Sequence, residues 1–143
     1  MLSAIILADN TMTNKDKDQT IAALRAEIDT LKTVIARLPG NVYWKNTEGK
    51  YLGCNTNFAI IAKLNSPDEI YNKTDSDILD SELADKIYQT DISVIKNRKE
   101  IYKEEIGVNS LGNAATYLSQ KSPLFDPEGN VSGILGVSID ITD

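Results

Sequence analysis

The sequence predicts an α+β domain in which five antiparallel strands carry short helices between the second and third, preceded by an N-terminal coiled-coil helix. Three observations carry that prediction. Apolar residues recur in a heptad over residues 21–38, and two strand-like runs are followed by several helix starts before three more strand-like runs. The last of these runs, Gly133-Ile134-Leu135-Gly136-Val137-Ser138-Ile139, is apolar and punctuated by glycine. Small residues at alternate positions in a β-branched run fit a strand whose backbone approaches something closely. Asp140 and Thr142 then stop it. The implied boundaries are 1–20 for an N-terminal segment and linker, 21–38 for the helix, and 39–143 for the sheet domain.

Leu2 to Ala8 is apolar but far shorter than the roughly 20 residues that span a bilayer, and it lacks the basic start of a secretion signal. It reads as a short turn or strand covering an apolar surface, or as the remnant of a chain boundary. Asn10 to Gln19 is polar and aperiodic and reads as a linker. Ile21, Leu24, Ile28, Leu31, Ile35 and Leu38 follow at spacings of 3, 4, 3, 4 and 3. Ile falls at every a position and Leu at every d, the choice that favours a parallel two-stranded coil. Glu27 lies at g and Lys32 at the following e, where opposite charges pair between chains. Roughly three heptads are close to the minimum for an isolated helix, so the seam also fits an amphipathic helix lying on its own domain. The dimeric coil is the expectation. Pro39-Gly40 ends the helix, because proline cannot donate the next hydrogen bond and glycine relaxes the backbone.

Asn41 to Asn55 holds two strand-like runs around the turn Asn46-Thr47-Glu48-Gly49, a hairpin. Asn55 is placed to cap a helix with Phe58, Ile61, Ala62 and Leu64 on one face. Ser66-Pro67-Asp68-Glu69 opens another short helix, with serine at the cap and proline at the first position, and Thr74-Asp75-Ser76-Asp77 opens a third. Leu79 to Asn97 is the longest helical stretch of the domain and is expected to lie across the sheet, with Leu83, Ile87, Ile92 and Ile95 as its apolar members. Glu100 to Val108 and Ala114 to Phe125 are strand-like and separated by the polar loop Asn109 to Asn113. Asp126-Pro127-Glu128-Gly129-Asn130 is the strongest turn signal in the chain.

With 143 residues, 25 % charged and 41 % hydrophobic, the chain has the length and balance of one globular domain with an appendage. A net charge of −6 opposes binding to phosphate backbones, so neither nucleic acid nor a membrane is an expected partner. The lone Cys54 cannot form an internal disulfide, and with nothing calling for an oxidising compartment the cytoplasm is inferred.

Tyr43-Trp44-Lys45, Gly49-Lys50-Tyr51-Leu52-Gly53-Cys54-Asn55, Lys73-Thr74-Asp75, Lys121-Ser122-Pro123-Leu124, Gly129 and Asp140-Ile141-Thr142 occur in that order over residues 39–143. Each piece is common alone; together and in order they resemble PAS domains of the kind attached to bacterial sensor histidine kinases. The resemblance implies a dimeric sensory or signal-relay input domain of a larger two-component signalling protein, with its partners a second copy of itself and a C-terminal effector domain. The relay would run through Asp140 and Thr142, with Lys45 or Lys121 as the cationic partner of Asp140. The alternative is a pure dimerisation or interaction module without a ligand. An enzyme is not expected, for the chain has no histidine, no paired cysteines and no Gly-rich phosphate loop. Asp75, Asp77 and Asp80 form the best candidate metal group but read as helix-start carboxylates, so no metal is expected.

The same resemblance frames the cofactors. A haem sensor of the usual kind needs an axial imidazole, which a chain without histidine cannot supply. In flavin photoreceptors of the LOV class the photoreactive thiol and a flavin-facing glutamine lie at positions that here read Thr56 and Ser138. No His-ligated haem and no LOV-type flavin are therefore expected, and Cys54 reads as a packing cysteine. Strand alternation places Ile134, Gly136 and Ser138 on one face and Leu135, Val137 and Ile139 on the other. Tyr43, Cys54, Phe58, Tyr117, Ser119 and Ser138 are the candidate lining of a small-ligand pocket, the alternative being a solid core.

Overall fold

The computed structural model describes residues 12–143, and the chain divides into two compact units between Arg37 and Leu38. The apolar run Leu2 to Ala8 lies outside the described residues. In the first unit, helix α1 spans Asn14–Arg37. It therefore takes in Asn14 to Gln19, which composition marks as linker. A capping box explains the earlier start: the Asp16 amide donates to Thr13 Oγ1 at 3.1 Å while the Thr13 amide and hydroxyl donate to the Asp16 carboxylate at 3.3 and 2.6 Å. Amides that a helix start leaves unpaired are satisfied in this way. No residue of α1 is buried, and Ile21, Ile28 and Leu31 of the heptad seam are about half exposed.

In the second unit the strands are β1 (Asn41–Asn46), β2 (Tyr51–Cys54), β3 (Ile101–Val108), β4 (Ala114–Phe125) and β5 (Val131–Asp140). They form one antiparallel sheet in the order β2-β1-β5-β4-β3. Between β2 and β3 come α2 (Thr56–Ile61), a 3-10 turn at Pro67–Ile70, α3 (Asp75–Ile78) and α4 (Ser81–Asn97). The expected α+β layout is the observed one. The last strand in the sequence, β5, is the middle strand of the sheet, bonded to β1 on one side and β4 on the other.

Register decides which side chains meet. Tyr43, Gly136 and Lys121 lie side by side across β1, β5 and β4, as do Asn41, Ser138 and Ser119. Since strand side chains alternate, Asn41, Tyr43, Lys45, Ser119, Lys121, Ile134, Gly136 and Ser138 share the helix-covered face. The glycines of β5 are there for space. A Cβ on Gly136 would run into the Tyr43 ring, and one on Gly133 would run into the Lys45 carbonyl oxygen.

The helices begin largely where their caps predict. Asn55 Oδ1 accepts from the amides of Phe58 and Val42 at 3.0 and 3.1 Å, which fixes α2 to β1. Thr74 donates to Asp77, and Asp80 caps α4 by accepting from the Leu83 amide at 3.0 Å. Ser66 occupies the cap position of the 3-10 turn, but its side chain makes no capping bond. In α4 the buried residues are Ala84, Asp91 and Val94, while Leu83 and Ile92 stay exposed. The apolar members read from the sequence therefore do not all define the buried face: one of its positions is a carboxylate.

Candidate functional site

Asp91 belongs to a charged cluster buried between sheet and helices. Lys45, wholly buried on β1, donates through Nζ to both oxygens of Asp75 at 2.8 and 2.6 Å and to Asp91 Oδ2 at 2.9 Å. Lys121 on β4 donates to Asp91 Oδ1 at 3.0 Å, and the Tyr51 hydroxyl donates to Asp75 Oδ1 at 2.7 Å. Each lysine comes from a strand and each aspartate from a helix, so the cluster pins α3 and α4 to β1 and β4. Its formal charges cancel. Lys45 Nζ also stands 4.8 Å from the Tyr51 ring centroid and 5.4 Å from that of Tyr43, close enough for cation–π attraction. Burial first, and then the neighbouring carboxylates, raise the pKa of both phenols well above the ordinary tyrosine range, so both stay protonated. These are the properties of a lock, since every carboxylate in it already holds a cation. Asp75 is thus no helix cap, and among the described residues no group of three or more His, Cys, Asp or Glu side chains is placed to hold a metal.

Lys45 and Lys121 are therefore not partners of Asp140, contrary to the expectation from sequence. The Asp140 carboxylate instead accepts from the hydroxyl and the amide of Thr142, which together hold its pKa below the usual carboxylate value. The Thr116 amide donates to Thr142 Oγ1 at 2.9 Å, and the Ile141 amide donates to the Thr116 carbonyl at 2.8 Å. This Asp-Thr turn ties the chain leaving β5 to the start of β4.

The candidate ligand residues separate into two groups. Tyr43 and Phe58 lie with ring centroids 4.8 Å apart and Tyr51 beside them, all packed with Cys54 in an apolar core. Ser119 faces Ser138 across the β4–β5 register, but its hydroxyl donates to Glu105, and Ser138 accepts from the Asn41 side chain. Tyr117, opposite Asp140, donates its hydroxyl to the Val108 carbonyl at 3.0 Å. It also borders an open cleft of about 420 Å³ at this end of the sheet, lined among others by Gly40, Asn41, Asn57, Ile60 and Asp140. Cys54 is buried, and desolvation, followed by the charge of Asp68, pushes its thiol up to about 11. The thiolate is the reactive form, so Cys54 should react with a thiol-specific disulfide reagent at neutral pH only at the rate of unfolding. Complete labelling within seconds under native conditions would contradict this.

Two of these residues had a readable signal. Asp91 falls on the same helical face as Ala84, Ile87 and Val94, a charge where periodicity demands burial, and Lys45 alternates inward with Tyr43. What they pair with is not local information.

Residues 35–143 match the family model of the PAS fold. The chain belongs to the PAS fold family. It is 24 % identical over 113 residues to the aerobic respiration control sensor protein ArcB of Escherichia coli K12, covering 79 % of this chain and 14 % of ArcB. It is 31 % identical over 112 residues to a diguanylate cyclase of Vibrio cholerae, covering 77 % of this chain and 35 % of the cyclase. The chain thus spans a minor part of the length of these curated relatives. Among solved structures it resembles the VqmA dimer of Vibrio cholerae, with a TM-score of 0.72 at 19 % identity over 81 % of this chain and 52 % of VqmA. It also resembles the PAS domain of Bordetella pertussis BvgS, with a TM-score of 0.67 at 22 % identity over 82 % of this chain and 88 % of the other. These structural likenesses concern the fold. This PAS-fold chain is a signalling input domain, and the fold is a sensory one rather than a catalytic one. Among the described residues no helix is long and apolar enough to cross a membrane.

Proposed function

We propose that this PAS-fold domain is the dimeric, cytoplasmic sensory and relay input of a larger signalling protein, with α1 as a parallel coil and the Asp140-Thr142 turn as its output. The observation that carries the reading is the position of β5. It is the middle strand, lined on its inner face by Tyr43 and the buried charges, and it runs directly into the exit turn. A change of packing against the inner face therefore acts on the strand that leaves the domain. The identity to a sensor protein supports a sensor histidine kinase as the effector, and the identity to a diguanylate cyclase supports a second effector class served by the same exit. A pure dimerisation module is the competing function. It is favoured by the Ser119 and Tyr117 hydroxyls donating within the domain and by the aromatic core filling the space beneath the sheet. No haem or LOV flavin is part of the proposal, and the net charge of −6 supports a protein rather than a nucleic-acid partner.

Two measurements test it. Light scattering should give a dimer for the chain and a monomer for Ile28→Asp, since a charge on the seam abolishes its packing; Leu31→Ala should weaken the dimer by about 2–5 kcal/mol if the seam packs like a protein core. A monomeric parent would end the coil reading. In the full-length protein, Asp140→Ala or Thr142→Ala should change effector output while the melting temperature moves little, because the pair is exposed. Unchanged output with a large fall in melting temperature would make the turn structural only.

A further inference from the structure

The open cleft at the end of the sheet has an unusual chemical bias. It joins the entry of the domain at Gly40 to its exit at Asp140, and its volume of about 420 Å³ lies within the roughly 300–1,000 Å³ of small-molecule sites. Asn41 is 8 % exposed and spends its amide nitrogen on Ser138 Oγ at 3.2 Å. Its Oδ1 has no hydrogen-bond partner among the described residues, yet no buried side-chain oxygen is left unpartnered. That oxygen therefore reaches the cleft surface. Asn57 likewise donates its nitrogen to the Gly40 carbonyl at 2.9 Å, leaving Oδ1 free. Thr142 engages only Oδ1 of Asp140, and the depressed pKa of that carboxyl keeps it anionic at neutral pH. Asn109 is the exception, since its amide oxygen accepts from Leu111 and Asn113. No lysine or arginine lines the cleft, whereas Ile60 and Ile139 supply apolar surface.

We propose that this cleft binds a small organic cation, an alkylammonium or guanidinium group, held by Asn41 Oδ1, Asn57 Oδ1 and the Asp140 carboxylate with its alkyl part on Ile60 and Ile139. Free acceptors and one carboxylate have no use for an anion or for a ligand rich in acceptors. They suit a group with several N–H donors and a positive charge. An occupant would bridge the first and last strand ends of the domain and draw on the same carboxylate that forms the exit turn. That consequence rests on the input-domain reading; the binding does not.

Agmatine, which carries both a guanidinium and an ammonium group, is the probe, with butane-1,4-diol as the neutral control and glutarate as the anionic one. Titrated into the isotope-labelled full chain, agmatine should give saturable NMR shifts at the Asn41 and Asn57 side-chain amides and at the backbone of Gly40 and Asp140, and the controls should not. Asp140→Asn should weaken binding roughly tenfold, the loss of one charge-assisted hydrogen bond, and Asn57→Leu should weaken it with the turn intact. Equal shifts with the diol, no saturation with agmatine, or unchanged affinity in both variants would overturn the site. A chain that dimerises and relays while ignoring agmatine would do so too, leaving the input-domain reading in place.

Discussion

Asp91→Ala is expected to destabilise the sheet domain by about 3–5 kcal/mol, the cost of stripping one partner from a buried ion pair. The size follows from the division of labour in the cluster. Asp91 serves both lysines, and it is the acceptor that holds Lys121. Lys45 keeps Asp75 when Asp91 is removed, but Lys121, about nine-tenths buried, is left charged with no partner. Taking an ammonium group out of water costs far more than an exposed pair returns, so the lesion is the orphaned charge rather than the lost contact. Chemical denaturation would read the change directly, and a fall in melting temperature of more than about 10 °C should accompany it. Replacing Lys45, Asp75, Asp91 and Lys121 together by Met or Leu of similar volume should recover most of the loss, because whole buried clusters are often exchanged for apolar groups without penalty. A loss below about 1 kcal/mol for Asp91→Ala would place the cluster among hydrated surface pairs and remove it as the lock between helices and sheet.

Gly40→Ala should have the next largest effect. Gly40 has φ +86°, a conformation that costs an L-residue about 1–2 kcal/mol. A Cβ there would also collide with the Ser138 carbonyl oxygen, which is backbone in the middle strand and cannot swing aside. Overpacking of this kind adds a further ~1–3 kcal/mol. Gly49 supplies the control, with φ +80° and nothing within 4 Å of where a Cβ would stand. Gly49→Ala should show the backbone cost alone, and the difference between the two variants measures the close approach at Gly40. Equal melting temperatures would mean that β1 and β5 separate easily at this end.

The elements of the domain were legible because their signals are local. Asn55, Thr74 and Asp80 stand at helix starts where their side chains accept or exchange hydrogen bonds with residues three positions on. Period-two alternation put Ile134, Gly136 and Ser138 on one face of the last strand, and the glycines there announced the close approach later seen against Tyr43 and Lys45. The start of α1 was equally local but hidden in a polar segment, where only the Thr13–Asp16 spacing marks it. The site was different. Lys45 and Lys121 stood out in the sequence, yet Asp140 was the wrong partner for both, and Asp75 looked like one more helix-start carboxylate. Lys45 meets Asp91 across 46 positions of chain and Asp75 across 30. The sequence determines that a lysine alternates inward and that a carboxylate sits on a buried helical face. Only the tertiary structure decides which of them meet, because that depends on strand order and on how each helix crosses the sheet, and no repeat or cap within a single segment encodes either.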